Sequence, residues 1–113
     1  MMTTIPYPKV KITVTRRLFN KEEADKYTRH PWTPCSTFKE GQEFISDGVL
    51  MPEGFCSWAW SDIEKQVMTL SHGGNFSGCK EGVSVACCSD GFRPVIFVLE
   101  RMEPIKEAKE LYK

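Results

Sequence analysis

The segment from Ser57 to His72 constrains the fold most, because it is the one long stretch with helical periodicity. Ala59, Trp60, Ile63, Val67 and Leu70 recur at three- and four-residue steps and form one apolar stripe. Lys65, Gln66 and Thr69 fall largely elsewhere. Such a stripe has to be buried, and a chain of 113 residues has room for a single core. Gly73-Gly74 follows directly and supplies the left-handed residue at which a helix of this kind ends. Two starts compete: Ser57 can cap the helix, or Ser61-Asp62-Ile63-Glu64 can form a capping box. The earlier start is preferred, because it brings Trp60 into the stripe.

What this helix covers has to come from segments with strand patterns. Val10 to Thr15 alternates, with Val10, Ile12 and Val14 on the buried side. Asn20 is placed to cap a short polar surface helix that runs to about Thr28, with Glu22, Glu23 and Asp25 in its first turns. Pro31 and Pro34 make His30 to Pro34 a loop that delivers Cys35. A second strand over Glu43 to Ser46 ends at the turn dipeptide Asp47-Gly48. Val49 to Phe55, with Pro52 and Gly54, is an irregular approach to Cys56, and Asn75 to Gly82 is a loop holding Cys79.

Val83 to Cys88 alternates again, which predicts Val83, Val85 and Cys87 on the core side. The continuous apolar run Pro94 to Leu99 predicts a strand buried on both faces near the sheet centre. Ser89-Asp90-Gly91 joins these two strands as an antiparallel hairpin. The predicted class is α+β: a small antiparallel sheet of about four strands with one main helix packed on it. A partly closed barrel fits the same elements. The single domain has an ordered core over about 10–101, and 103–113 reads as a charged tail.

Fifteen basic and fifteen acidic residues cancel and lie scattered, which argues against nucleic acid or an acidic membrane as a partner. No apolar run has the length to span a bilayer, and Pro6 and Pro8 interrupt the segment where a signal peptide would need its apolar core. A cytoplasmic protein is expected, with its five cysteines reduced. Their odd number also argues against a closed disulfide framework. The thiols then serve packing, metal or cluster ligation, or redox and nucleophilic chemistry.

Cys35, Cys56 and Cys88 each sit at the edge of an element, where separated segments converge. Three thiolates can hold zinc with one position open, or three irons of a four-iron iron–sulfur cluster with one iron free for substrate. Cys56 also stands before a helix, whose positive end favours thiolate charge. Cys87 is assigned to the core by its alternation with Val83 and Val85, and Cys79 to a bystander position. Arg93 can bind a carboxylate through its planar fork, or pair with Asp90. Asp62 is a candidate acid–base group, or a cap for the helix start. His72 suits the negative helix end, whereas His30 can serve as an accessory ligand or base beside Cys35. Trp58 and Trp60 cannot both face the core. Trp60 goes inward, and Trp58 is left to line a pocket or a homo-oligomer contact.

Lys39 to Phe44, Pro52 to Ile63, Gly73-Gly74 and Cys88 to Phe97 give the pattern K-x-G-x-x-F, P-x-G-F-C-x-W-A-W-x-D-I, a double glycine, and C-x-D-G-x-R-P-V-x-F. In this pattern, from about Val10 to Arg101, the chain resembles a group of small uncharacterised microbial proteins marked by cysteines. The resemblance implies membership of that group and brings no activity with it. The expected function is therefore read from the residues. It is a small protein binding a metal ion or iron–sulfur cluster through Cys35, Cys56 and Cys88, with lyase- or hydratase-type chemistry on an anionic small molecule. The alternatives are a non-enzymatic oligomeric or partner-binding module with structural cysteines, and a metal-free thiol enzyme using Cys56 as nucleophile.

Overall fold

The strand that begins at Val10 continues to Arg17 as β1, whose Val10, Ile12 and Val14 are fully buried in the computed structural model, which describes residues 7–102. Next come α1 (Lys21–Tyr27), β2 (Glu43–Ser46), α2 (Ser57–Ser71), β3 (Val83–Cys87) and β4 (Val95–Arg101). The four strands form one antiparallel sheet in the order β2-β1-β4-β3. β2 and β3 are its free edges, so the sheet stays open and no barrel closes. The expected charged tail, 103–113, lies outside the described residues.

The two central strands supply the floor on which α2 lies. Ile12 stands between Phe44 and Leu99, and Val14 is opposite Phe97. Ala59, Trp60, Ile63, Val67 and Leu70 of α2 are buried against Val10, Ile12, Val14, Val95, Phe97 and Leu99. Each such aliphatic or aromatic side chain contributes about 1.5–3 kcal/mol on leaving water. The helix begins at Ser57, the earlier of the two predicted starts, and Cys56 is its N-cap. At the other end Gly73 has φ +90°, and the almost fully buried Arg101 donates from Nη1 to the carbonyls of Leu70 and Gly74, both at 3.0 Å. A cation thus closes the negative end of the helix. No helix among the described residues is long and apolar enough to cross a membrane.

Three expectations need correction. Ser84, Ala86 and Cys88 are buried, while Val85 is 57% exposed and Cys87 lies on the outer side. The reason is the neighbour: Gln66 of α2 donates from Nε2 to Ser84 Oγ at 3.1 Å, so the inward hydroxyl is satisfied. β4 is central, but only its α2 side is fully buried. Ile96 and Val98 are half-buried, because no described layer covers the second face of the sheet. Asn20 does precede α1, yet its side chain does not cap it. Its amide donates instead to the Gly91 carbonyl at 2.6 Å, which ties the chain after β1 to the β3–β4 turn.

A cluster of aromatic rings closes one end of the core. Phe38 meets Phe55 at 5.0 Å and Phe97 at 5.2 Å between centroids, while Phe55 meets Phe44 at 4.9 Å and Trp60 at 6.1 Å. Phe38 and Phe55 come from loops, so the cluster fastens both loops to the sheet. Phe55→Ala is expected to lower stability by about 3–5 kcal/mol. Gly48 has φ +94°, and a Cβ there would overlap the buried Ser71 Oγ, which donates to the Pro8 carbonyl at 2.7 Å. Gly48→Ala should therefore cost more than the roughly 1–2 kcal/mol of the left-handed backbone alone. Chemical denaturation measures both, and a Phe55→Ala protein as stable as the parent contradicts this packing.

Candidate functional site

The aromatic cluster fixes what comes just before and after it. Phe55 is anchored, and Gly54 with φ +80° turns the chain so that the Phe55 N–H donates to the Pro52 carbonyl at 3.2 Å. Cys56 is then held between that anchor and the first turn of α2, with extended backbone at φ −79° and ψ 125°. Its half-buried thiol makes no capping bond to the helix. On the other loop Phe38 is the anchor and Cys35 lies one turn ahead of it. The Cys35 carbonyl accepts from Arg17 Nη1 at 2.6 Å, and Arg17 is itself fixed by Glu40, Nε to Oε1 at 2.9 Å. The Arg17 side chain holds the Glu40 carboxyl below its usual value, so this clamp stays charged.

Cys88 follows the last residue of β3 and is 8% exposed. Its Sγ accepts from the Val95 N–H at 3.3 Å, and its own N–H donates to the Val95 carbonyl at 3.1 Å. Cys87 points to the opposite face. Partial burial, then the neighbouring Cys88 and Asp62, push the Cys87 thiol above its ordinary value.

These placements bring Cys35, Cys56 and Cys88 to the wall of one cavity of about 480 Å³. It opens between the N-terminus of α2, the loop carrying Trp32 and Cys35, and the β3–β4 turn. Trp58, Phe38 and Arg93 complete the part of the wall that matters chemically. Trp58 is 63% exposed and donates from Nε1 to Ser89 Oγ at 3.0 Å, while Trp60 is buried. The two tryptophans thus divide as their helix angles require.

Of the two roles expected of Arg93, the structure shows the pair with Asp90. Asp90 Oδ1 accepts the N–H groups of Phe92 and Arg93 at 2.9 and 3.1 Å, and Oδ2 accepts Arg93 Nε at 3.0 Å. The guanidinium lies 4.4 Å over the Trp32 ring, which in turn meets Phe92 edge-on at 5.2 Å. The terminal Nη nitrogens have no hydrogen-bond partner among the described residues, and Arg93 lines the cavity. Partial burial opposes charge on Asp90, but the Arg93 and Phe92 N–H groups and the Arg93 side chain outweigh it and hold the carboxyl below its usual value.

Other candidates lie elsewhere. Asp62 does not line the cavity and does not cap α2. Its Oδ2 accepts the Ser89 N–H at 2.7 Å, which pins the β3–β4 turn to the helix. His72 is the C-cap of α2, with Nδ1 2.8 Å from the Met68 carbonyl. His30 borders a separate shallow depression with Asp25, Thr28, Arg29 and Pro31. Cys79 is exposed and outside the cavity. Trp32 and Phe38 are site residues that the sequence did not single out. A large aromatic set among loop prolines was the available signal for Trp32.

Among the described residues no three His, Cys, Asp or Glu side chains stand together as a ready site for a metal ion. Comparison with family models, with curated proteins and with solved structures returned no match.

Asp90→Asn is expected to cost about 1–2 kcal/mol at neutral pH, through the weakened turn and the released Arg93. The folded Asp90 carboxyl titrates below its ordinary value of 3.8, so its stabilisation is complete above that pH. It is lost as pH falls through the folded value. Denaturation curves across acid pH should show the parent–variant gap closing in strong acid. A gap independent of pH contradicts the assignment.

Proposed function

We propose that the cavity holds an iron–sulfur cluster through Cys35, Cys56 and Cys88, with one iron left open toward Arg93. One observation carries this reading: cysteines from three separated segments line a single cavity. A lone zinc ion draws its thiolates to about 2.3 Å from one point. A cavity of about 480 Å³ lined by three cysteines has room for a larger occupant, and a four-iron cluster with three cysteine ligands is of that kind.

The surrounding chain favours charge on the sulfurs. The N-terminus of α2 stands at Cys56, with the positive end of its backbone dipole toward the cavity. The Val95 N–H points at Cys88 Sγ, a contact of the sort that tunes ligating sulfurs. All five cysteines are free, in keeping with a reducing compartment such as the cytoplasm. An iron open to substrate supplies Lewis acidity, and lyase or hydratase chemistry on a small anionic molecule is the corresponding activity. A second reading, a self- or partner-binding module with structural cysteines, draws on the exposed Trp58 at the rim.

Anaerobic reconstitution with ferrous iron and sulfide tests the choice. The expected product is brown, absorbs near about 400 nm and carries roughly four irons and four sulfides per chain. Alanine at Cys35, Cys56 or Cys88 should each abolish it, and alanine at Cys79 or Cys87 should not. A colourless, iron-free protein whose subunit size falls with Trp58→Ala supports the module instead.

A further inference from the structure

We propose that the rim of this cavity is a carboxylate subsite. The terminal Nη nitrogens of Arg93 take the carboxylate of a small organic acid, and the apolar body of that acid lies against Trp58. The inference rests on the cavity being the functional site, as proposed above, but the subsite is built from side chains alone and does not require a cluster.

Three features point to this ligand class. Arg93 is fixed before any ligand arrives, because Asp90 holds Nε at 3.0 Å and the Trp32 ring lies 4.4 Å beneath the guanidinium. What remains open is the pair of Nη groups, whose parallel N–H bonds match a planar carboxylate. The charge count along the wall comes second. Among the described residues Arg93 is the one cationic side chain lining the cavity, and Asp90 stands beside it. The Arg93–Asp90 pair is already neutral, so a monoanionic carboxylate leaves one net negative charge at the rim and a phosphate dianion leaves two, which favours the monoanion. Third, the wall beyond Arg93 is apolar, formed by Trp58, Ala59, Phe38 and Val95. Its volume of about 480 Å³ admits a small organic molecule.

Asp90 is a positioning residue in this scheme. It touches Arg93 and not the ligand. Its loss should therefore weaken carboxylate binding without changing the preference for an acid over the matching amide.

Tryptophan fluorescence of the full chain, titrated with benzoate, its neutral amide benzamide, and inorganic phosphate, reads the subsite directly. Benzoate should bind saturably, and benzamide and phosphate about tenfold or more weaker. Arg93→Gln should reduce benzoate affinity about tenfold and bring acid and amide to parity, while Arg93→Lys, with charge but no fork, should recover part of the loss. Circular dichroism checks that each variant is folded. If Arg93→Gln is not, the Arg93→Lys protein and the acid–amide comparison on the parent chain decide the matter. Absence of benzoate binding, equal affinity for benzoate and benzamide, tighter binding of phosphate, or a folded Arg93→Gln with unchanged acid preference would each overturn the proposal. Iron and sulfide content keeps the two readings apart. Arg93→Gln should retain both while losing benzoate, and a chain that binds benzoate through Arg93 but takes up no iron removes the cluster and leaves the subsite.

Discussion

The contact between Phe38 and Phe55, 5.0 Å apart and both seated on Phe97, is the constraint on which the site depends. Neither residue belongs to a helix or a strand. Each is the buried anchor of a loop that carries a cysteine, Cys35 three residues before Phe38 and Cys56 directly after Phe55. Aromatic pairs of this geometry add about 0.5–1.5 kcal/mol beyond the area they bury. That is enough to choose one loop arrangement over another. Cys35 and Cys56 thus line the same cavity because the rings behind them share one core.

Charge completes what packing begins. Arg17 bonds Glu40 and the Cys35 carbonyl, Asp62 bonds the Ser89 N–H, and Asp90 bonds Arg93. Each link joins a cavity segment to the strand, helix or turn next to it. All are partly exposed, so each is worth little singly. Together they give three segments of backbone a fixed relation around a mainly apolar space. The anion-attracting elements, Arg93 and the start of α2, face that space together.

Much of this architecture was legible in the sequence. β1 and α2 stand out because their apolar residues repeat at the period of the element, and each buries the face its pattern marks, whereas β2 was legible only from the turn that ends it. The division of Trp58 from Trp60 follows from helix angle alone. β3 misled because Val83, Val85 and Cys87 are the more apolar set, yet the inward set is Ser84, Ala86 and Cys88. The bond from Gln66 that makes a buried serine acceptable is a tertiary fact, and no local pattern encodes it. Asp62 was misleading for a related reason. Beside a helix start an acid reads as a cap or a catalyst, whereas its partner Ser89 lies 27 residues away. Trp32 escaped notice because its meaning comes from Arg93, which only the fold brings beside it.

The proposal that most needs testing is that Cys35, Cys56 and Cys88 hold one occupant together in the cavity that Arg93 also lines. Mössbauer spectroscopy of the anaerobically reconstituted chain tests it most directly, because it separates irons by their ligands. The account predicts a cluster in which three irons carry cysteine and one is distinct, with the distinct iron alone shifting when a small carboxylate is added. A spectrum of isolated mononuclear iron, or a cluster whose irons are all equivalent and indifferent to the carboxylate, would contradict it.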